Sequence, residues 1–165
     1  MRNIFILSII LLLGGCSVKY SFTGASISPN IKTFSVSYID NQAPTKQPTL
    51  SDVFTEGLKS KFRNNAGLTL VSTNADLQFE GTIVEYSTTY QGVTASQEAA
   101  NNRLTITVNI KFTNVQEPAK SFEKKFSRYS DFDANTNLSE IEESKIKEIS
   151  TQIIEDIFME SVANW

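Results

Sequence analysis

Three groups of side chains have the types and spacing to do chemistry. In the first, Asp131, Asp133 and Asn135 stand at alternate positions, with Leu138 at position 8 and Glu142 at position 12 of the same run. Oxygen donors at that spacing mimic a calcium-binding loop, which the last glutamate closes with two oxygens. Thr136 stands where such a loop turns sharply, and a β-branched residue resists that turn. The plainer reading is an Asx-rich loop leading into a helix, with Glu142 reaching back to the backbone of Ser139. In the second group, Lys124, Lys125 and Arg128 interleave with Phe122, Phe126 and Tyr129. Ammonium and guanidinium groups pair with phosphate, arginine through a bidentate fork. Lysines on a solvated strand edge also guard it against aggregation, without any ligand.

The third group is a single residue, Cys16, the only cysteine. Arg2 supplies a positive start, Ile4 to Leu13 is apolar apart from Ser8, and Gly14-Gly15 precede the thiol. A run of ten residues makes about 15 Å of helix, half a hydrocarbon core, so it reads as a secretory signal peptide. Leu13-Gly14-Gly15-Cys16 resembles a bacterial lipobox, cut between Gly15 and Cys16. The thiol would carry a diacylglycerol thioether, and the freed amine an acyl chain such as palmitate. The mature chain would then run for 150 residues, with 14 basic against 18 acidic side chains and a net charge of −4. No aspartate follows Cys16, which favours the periplasmic face of the outer membrane over the inner. The phosphates at hand there belong to lipid A.

Other chemistry is excluded or unsupported. There is no histidine, so Ser-His-Asp and Cys-His catalysis are excluded and zinc lacks its usual ligands. Strand exposure accounts for Asp76, Glu80 and Glu85. An acidic balance offers no basic face for nucleic acid. These residues predict a binding protein without cofactor or metal, not an enzyme.

The elements that position these groups follow from periodicity. Residues 1–15 are the signal peptide, and 16–30 the lipidated cysteine and a short tether. Residues 31–165 form one α+β domain, long enough to bury about 70% of its unfolded surface. Ile31 to Asp40 reads as a strand with Phe34, Val36 and Tyr38 on one face. Leu50, Phe54, Leu58 and Phe62 stripe a helix from about Leu50 to Asn64, with Gly67 beyond its end. Leu68 to Val71 is a short strand. Asp76 to Tyr90 is a longer one, with a bulge near Gly81 or Val84. A polar connection, Gln91 to Asn102, follows. Leu104, Ile106, Val108, Ile110 and Phe112 then alternate with Arg103, Thr105, Thr107, Asn109 and Lys111, a strand with one buried and one wet face. Ala119 to Tyr129 pairs back after Pro118. Ile141, Ile146, Ile149, Ile153, Ile157 and Phe158 stripe a last helix, opened by a Ser139–Glu142 capping box. The order predicts a two-layer sandwich: a mostly antiparallel sheet of four to five strands, with two helices on one face.

With these residues laid out, the chain resembles the LPS-assembly lipoprotein family (LptE, also called RlpB), divergent from its enterobacterial form. The likeness rests on the lipobox, Ile31 to Val36, Pro48-Thr49-Leu50-Ser51, Asp76 to Gly81, Asn102 to Ile106, Phe112-Thr113-Asn114 and Asn164-Trp165. It implies an outer-membrane lipoprotein that plugs and helps assemble the LptD β-barrel and binds lipopolysaccharide during its insertion. Large barrel interiors are polar, and the row Arg103, Thr105, Thr107, Asn109 and Lys111 suits one. No local motif maps the family's lipopolysaccharide contacts, so Lys124, Lys125 and Arg128 are candidates by residue type. The rival reading is a lipoprotein activator of a cell-wall synthase. Cys16→Ser is expected to abolish lipid labelling and leave an uncleaved or mislocalised precursor; normal membrane attachment of that variant would contradict the lipobox.

Overall fold

A computed structural model describes residues 27–92 and 101–163. The leader, the Gly15–Cys16 cleavage site, most of the tether, most of the polar connection and Asn164-Trp165 lie outside the described residues.

Burial follows the apolar periodicity. Strand β1 (Thr33–Val36) and the short β2 (Asp40–Asn41) run beside β4 (Leu77–Gln91). Helix α1 (Leu50–Asn65) carries the chain back, so β1, β2 and β3 (Thr69–Leu70) all pair in parallel. Strands β4, β5 (Asn101–Asn114) and β6 (Phe122–Asp133) form an antiparallel meander, a turn of 3₁₀ helix at Pro118–Lys120 joining the last two. Helix α2 (Leu138–Phe158) follows and ends in a π-helical turn, Met159–Ala163. The fold is α+β, as expected. Its sheet has six strands in the order β3-β1-β4-β5-β6, with β2 also on β4, and is mixed rather than mostly antiparallel. The crossover through α1 is the reason.

The two helices stripe the core as their spacing predicts. Leu50, Phe54, Leu58 and Phe62 of α1 are fully buried, as are Ile149, Ile153 and Ile157 of α2. They share one core with Leu104, Ile106, Val108 and Ile110 of β5, which are also fully buried. Rings link the layers: Phe62 stands 4.5 Å from Phe79 and 5.3 Å from Phe158, and Phe79 stands 5.0 Å from Phe112. Each such side chain contributes about 2 kcal/mol by leaving water.

Departures from simple alternation decide which side chains face out. One residue is extra between β1 and β2, so Ile39 is buried while Tyr38, expected inside, is 59% exposed. The bulge on β4 falls between Ile83 and Glu85. It moves the inward positions from Leu77, Phe79 and Ile83 to Tyr86 and leaves Glu85 and Ser87 outward. Gly81 is needed for another reason: a Cβ there would lie 2.3 Å from the Asn109 carbonyl oxygen. Gly67, at φ +66°, ends α1 as its position predicts. The expected capping box does not form. Asn137 caps α2, accepting from the Ser139 N–H at 3.2 Å, while Glu142 accepts from the Tyr86 hydroxyl.

Asp76 fastens the start of the sheet. Its Oδ2 accepts from the Lys32 and Thr33 N–H groups at 2.9 and 3.0 Å and from the Thr33 hydroxyl at 2.8 Å; its Oδ1 accepts from Gln116 at 3.1 Å. The Lys32 N–H above all, then Gln116 and Thr33, hold this carboxyl well below the usual carboxylate range. A carboxylate so depressed stabilises the fold above its unfolded pKa, near 4, and loses that contribution as pH falls through its folded value. Asp76→Asn is expected to cost about 2 kcal/mol at neutral pH and to flatten the acid limb of the melting-temperature profile. An unchanged profile would show that the clamp carries no stability.

Candidate functional site

The alternation on β5 turns one face of the meander away from the helices, and among the described residues no helix lies over it. Arg103, Thr105, Thr107, Asn109 and Lys111 lie along its middle, as the sequence predicts. Register sets Glu80, Thr82, Glu85, Ser87 and Thr89 on one side and Glu123, Lys125, Ser127, Tyr129 and Asp131 on the other. The side chains satisfy one another across the strands. Arg103 donates two bonds to Asp131, at 2.7 and 2.9 Å, and its guanidinium lies 3.6 Å from the centre of the Tyr129 ring. Thr107 donates to Glu85 at 2.7 Å and stands 2.8 Å from the Ser127 hydroxyl. Asn109 donates to Glu123 at 2.9 Å, and Lys111 stands 3.2 Å from Glu80. Thr107 is only 7% exposed, held between Glu85 and Ser127 on the flanking strands. The face is a polar, internally bonded plate, with Tyr129 half exposed at its edge.

The basic cluster lies on β6, the outer strand of the sheet, and its three members divide between two faces. Lys124 and Arg128 point toward the helix layer. There Arg128 holds Asp156 through two bonds of 2.6 and 2.7 Å, and Lys124 donates to Glu160 at 3.0 Å. The Asp156 carboxylate draws the Arg128 proton more tightly, raising its pKa. Lys125 points to the open face. All three, with Phe126, Ser127, Asp156, Met159 and Glu160, line a cleft of about 380 Å³ beside the free edge of β6. The clustering was legible in the sequence. Its two counter-ions were not: Asp156 and Glu160 sit one helical turn apart, but only the register of α2 against β6 brings them beneath these cations.

The calcium-like run does not converge. Asp131 lies within β6 and faces Arg103, which lowers its pKa chiefly by hydrogen bonding. Asp133 ends the same strand and accepts from the Asn135 N–H at 2.7 Å. Glu142 sits on α2 against Tyr86, whose hydroxyl pKa is pushed up by burial and by that carboxylate. A strand, not a helix, precedes the run. Among the described residues, no three His, Cys, Asp or Glu side chains are placed to share a metal ion.

The model of the lipopolysaccharide-assembly family LptE matches residues 31–161. The chain belongs to that family. Solved structures share the fold at low identity. A hypothetical protein from Chlamydia trachomatis superposes with a TM-score of 0.57 at 9% identity, over 77% of this chain and 93% of that one. Rare lipoprotein B from Shewanella oneidensis gives 0.50 at 17%, over 78% and 92%. A Xanthomonas campestris protein gives 0.51 at 10%, over 81% and 87%. No curated protein matches the chain significantly. Among the described residues, no helix is long and apolar enough to cross a membrane.

Because Asp131 and Glu142 are committed to separate partners, calcium in excess is expected to leave the melting temperature of this LptE-family chain unchanged. A filled site would add about 2.7 kcal/mol at a hundredfold excess over its Kd, a shift calorimetry would register and the geometry contradicts.

Proposed function

We propose that this protein is an outer-membrane lipoprotein, anchored through Cys16 and facing the periplasm. In this reading it plugs and helps assemble an LptD-type β-barrel and binds lipopolysaccharide on its way to the outer leaflet. The observation that carries the reading is the open polar plate on β4, β5 and β6. The interior of a large transmembrane barrel is polar and wet, so a partner for it needs hydrogen-bonding side chains rather than an apolar patch. Here those side chains are already ordered by their neighbours, which lowers the entropy lost on docking. Membership of a lipopolysaccharide-assembly family supports the same reading.

The anchor suits this role. Each buried CH₂ contributes about 0.8 kcal/mol, so two or three acyl chains on Cys16 hold the protein permanently. Ser17 to Asn30 spans at most about 50 Å when extended, which keeps the domain close to its own membrane. The protein acts by binding, and the anionic partner of Lys124, Lys125 and Arg128 is the phosphate of lipid A.

Recovery of the tagged, lipidated protein from outer membranes in mild detergent, with mass spectrometry of its partners, tests this. A stoichiometric large β-barrel is expected. Thr105→Trp combined with Asn109→Trp should reduce its recovery while the melting temperature holds. Recovery of a cell-wall synthase in its place, or of no barrel, would refute the plug.

A further inference from the structure

Two of the three cations of the cleft are already paired. Lys124 and Arg128 meet Glu160 and Asp156, so the cleft as folded holds three positive and two negative side chains. A phosphate entering it would meet two carboxylates beside the groups it seeks. The geometry points to a latch: Asp156 and Glu160 hold Lys124 and Arg128 closed, and a phosphate-bearing amphiphile displaces the two carboxylates to enter. This rests on the anionic-ligand reading above and adds how that site is controlled.

Three features make the exchange feasible. All four side chains keep 31 to 50% of their surface in water, so the ion pairs open by side-chain rotation alone. The backbone beneath them need not move, for Val162 is fully buried and the Ser161 hydroxyl bonds the Ile157 carbonyl at 2.7 Å. The exchange is also chemically even. Arg128 grips Asp156 through a two-pronged pair of bonds, and a phosphate offers the same fork a second charge and a third oxygen.

The cleft adds two features that select its ligand. Lys125, on the opposite face of β6, has no ion-pair partner among the described residues, yet it lines the cleft around the free strand edge. It is the cation that first meets the ligand. Met159 is 43% exposed at the same cleft and gives an alkyl chain a surface to lie on. A headgroup with a tail is therefore favoured over free phosphate.

The test uses the full lipidated chain in a neutral glycoside detergent, titrated calorimetrically with dodecyl phosphate and, separately, with inorganic phosphate. Asp156→Asn combined with Glu160→Gln removes the latch, and Lys124→Gln, Lys125→Gln and Arg128→Gln together remove the cations. The latch predicts dodecyl phosphate binding roughly tenfold tighter after the first change, as two like charges leave the site, and lost after the second. Equal tightening for inorganic phosphate would support the latch and assign the ligand to free phosphate. If the latch variant binds no tighter while the cation variant loses binding, the latch is wrong and the anion site stands. If the cation variant binds like the unaltered protein, the anion site itself is wrong. Each latch substitution made singly should give part of the gain, so a poorly folded double variant would not block the test.

Discussion

The strict alternation along β5 is the constraint on which the rest of the structure depends. Leu104, Ile106, Val108 and Ile110 are fully buried beneath the helices, and the residues between them face away. A slip of one position would exchange the two sets, putting Arg103 and Lys111 in the core at several kcal/mol each. The apolar row therefore fixes the register, and the register fixes the polar plate. Arg103 reaches Asp131, and Thr107 reaches Glu85 and Ser127, because β4 and β6 are both locked to β5.

The consequence is a molecule with two different surfaces. Its core is held by the aromatic chain from Phe34 through Phe62 and Phe79 to Phe112, which ties both helices to the sheet. Its open face is held by polar contacts that add little to stability in water but keep side chains in place. In the proposed arrangement that face meets a polar wall. There the order of the plate would make it selective, since a mismatched partner would have to break bonds already made.

Much of this was legible in the sequence because it depends on period alone. The stripe of α1, the two faces of β5 and the end of α1 at Gly67 all follow from spacing and a single glycine. What was not legible depends on contacts distant in the chain. Asp76 read as an ordinary exposed carboxylate, yet it receives the backbone of β1 from 43 and 44 residues away. Tyr38 read as inward because one extra residue before β2 leaves no local signal. Glu142 had the spacing of a capping box, but Asn137 stood earlier and Tyr86 offered a partner from another strand. The parallel pairing of β1 was hidden for a related reason: short strands flanking a helix do not declare the direction in which they pair.

In the proposed complex the polar plate is the surface given to the barrel. A single cysteine placed at Thr105 or Asn109 tests it directly, since Cys16 would be blocked by lipid. Its reaction with a water-soluble maleimide can be timed in the free protein and in the complex recovered from membranes. Ready labelling in the free protein and strong protection in the complex are expected. Equal labelling in both would mean that the plate faces water in the assembly, and that another surface makes the contact.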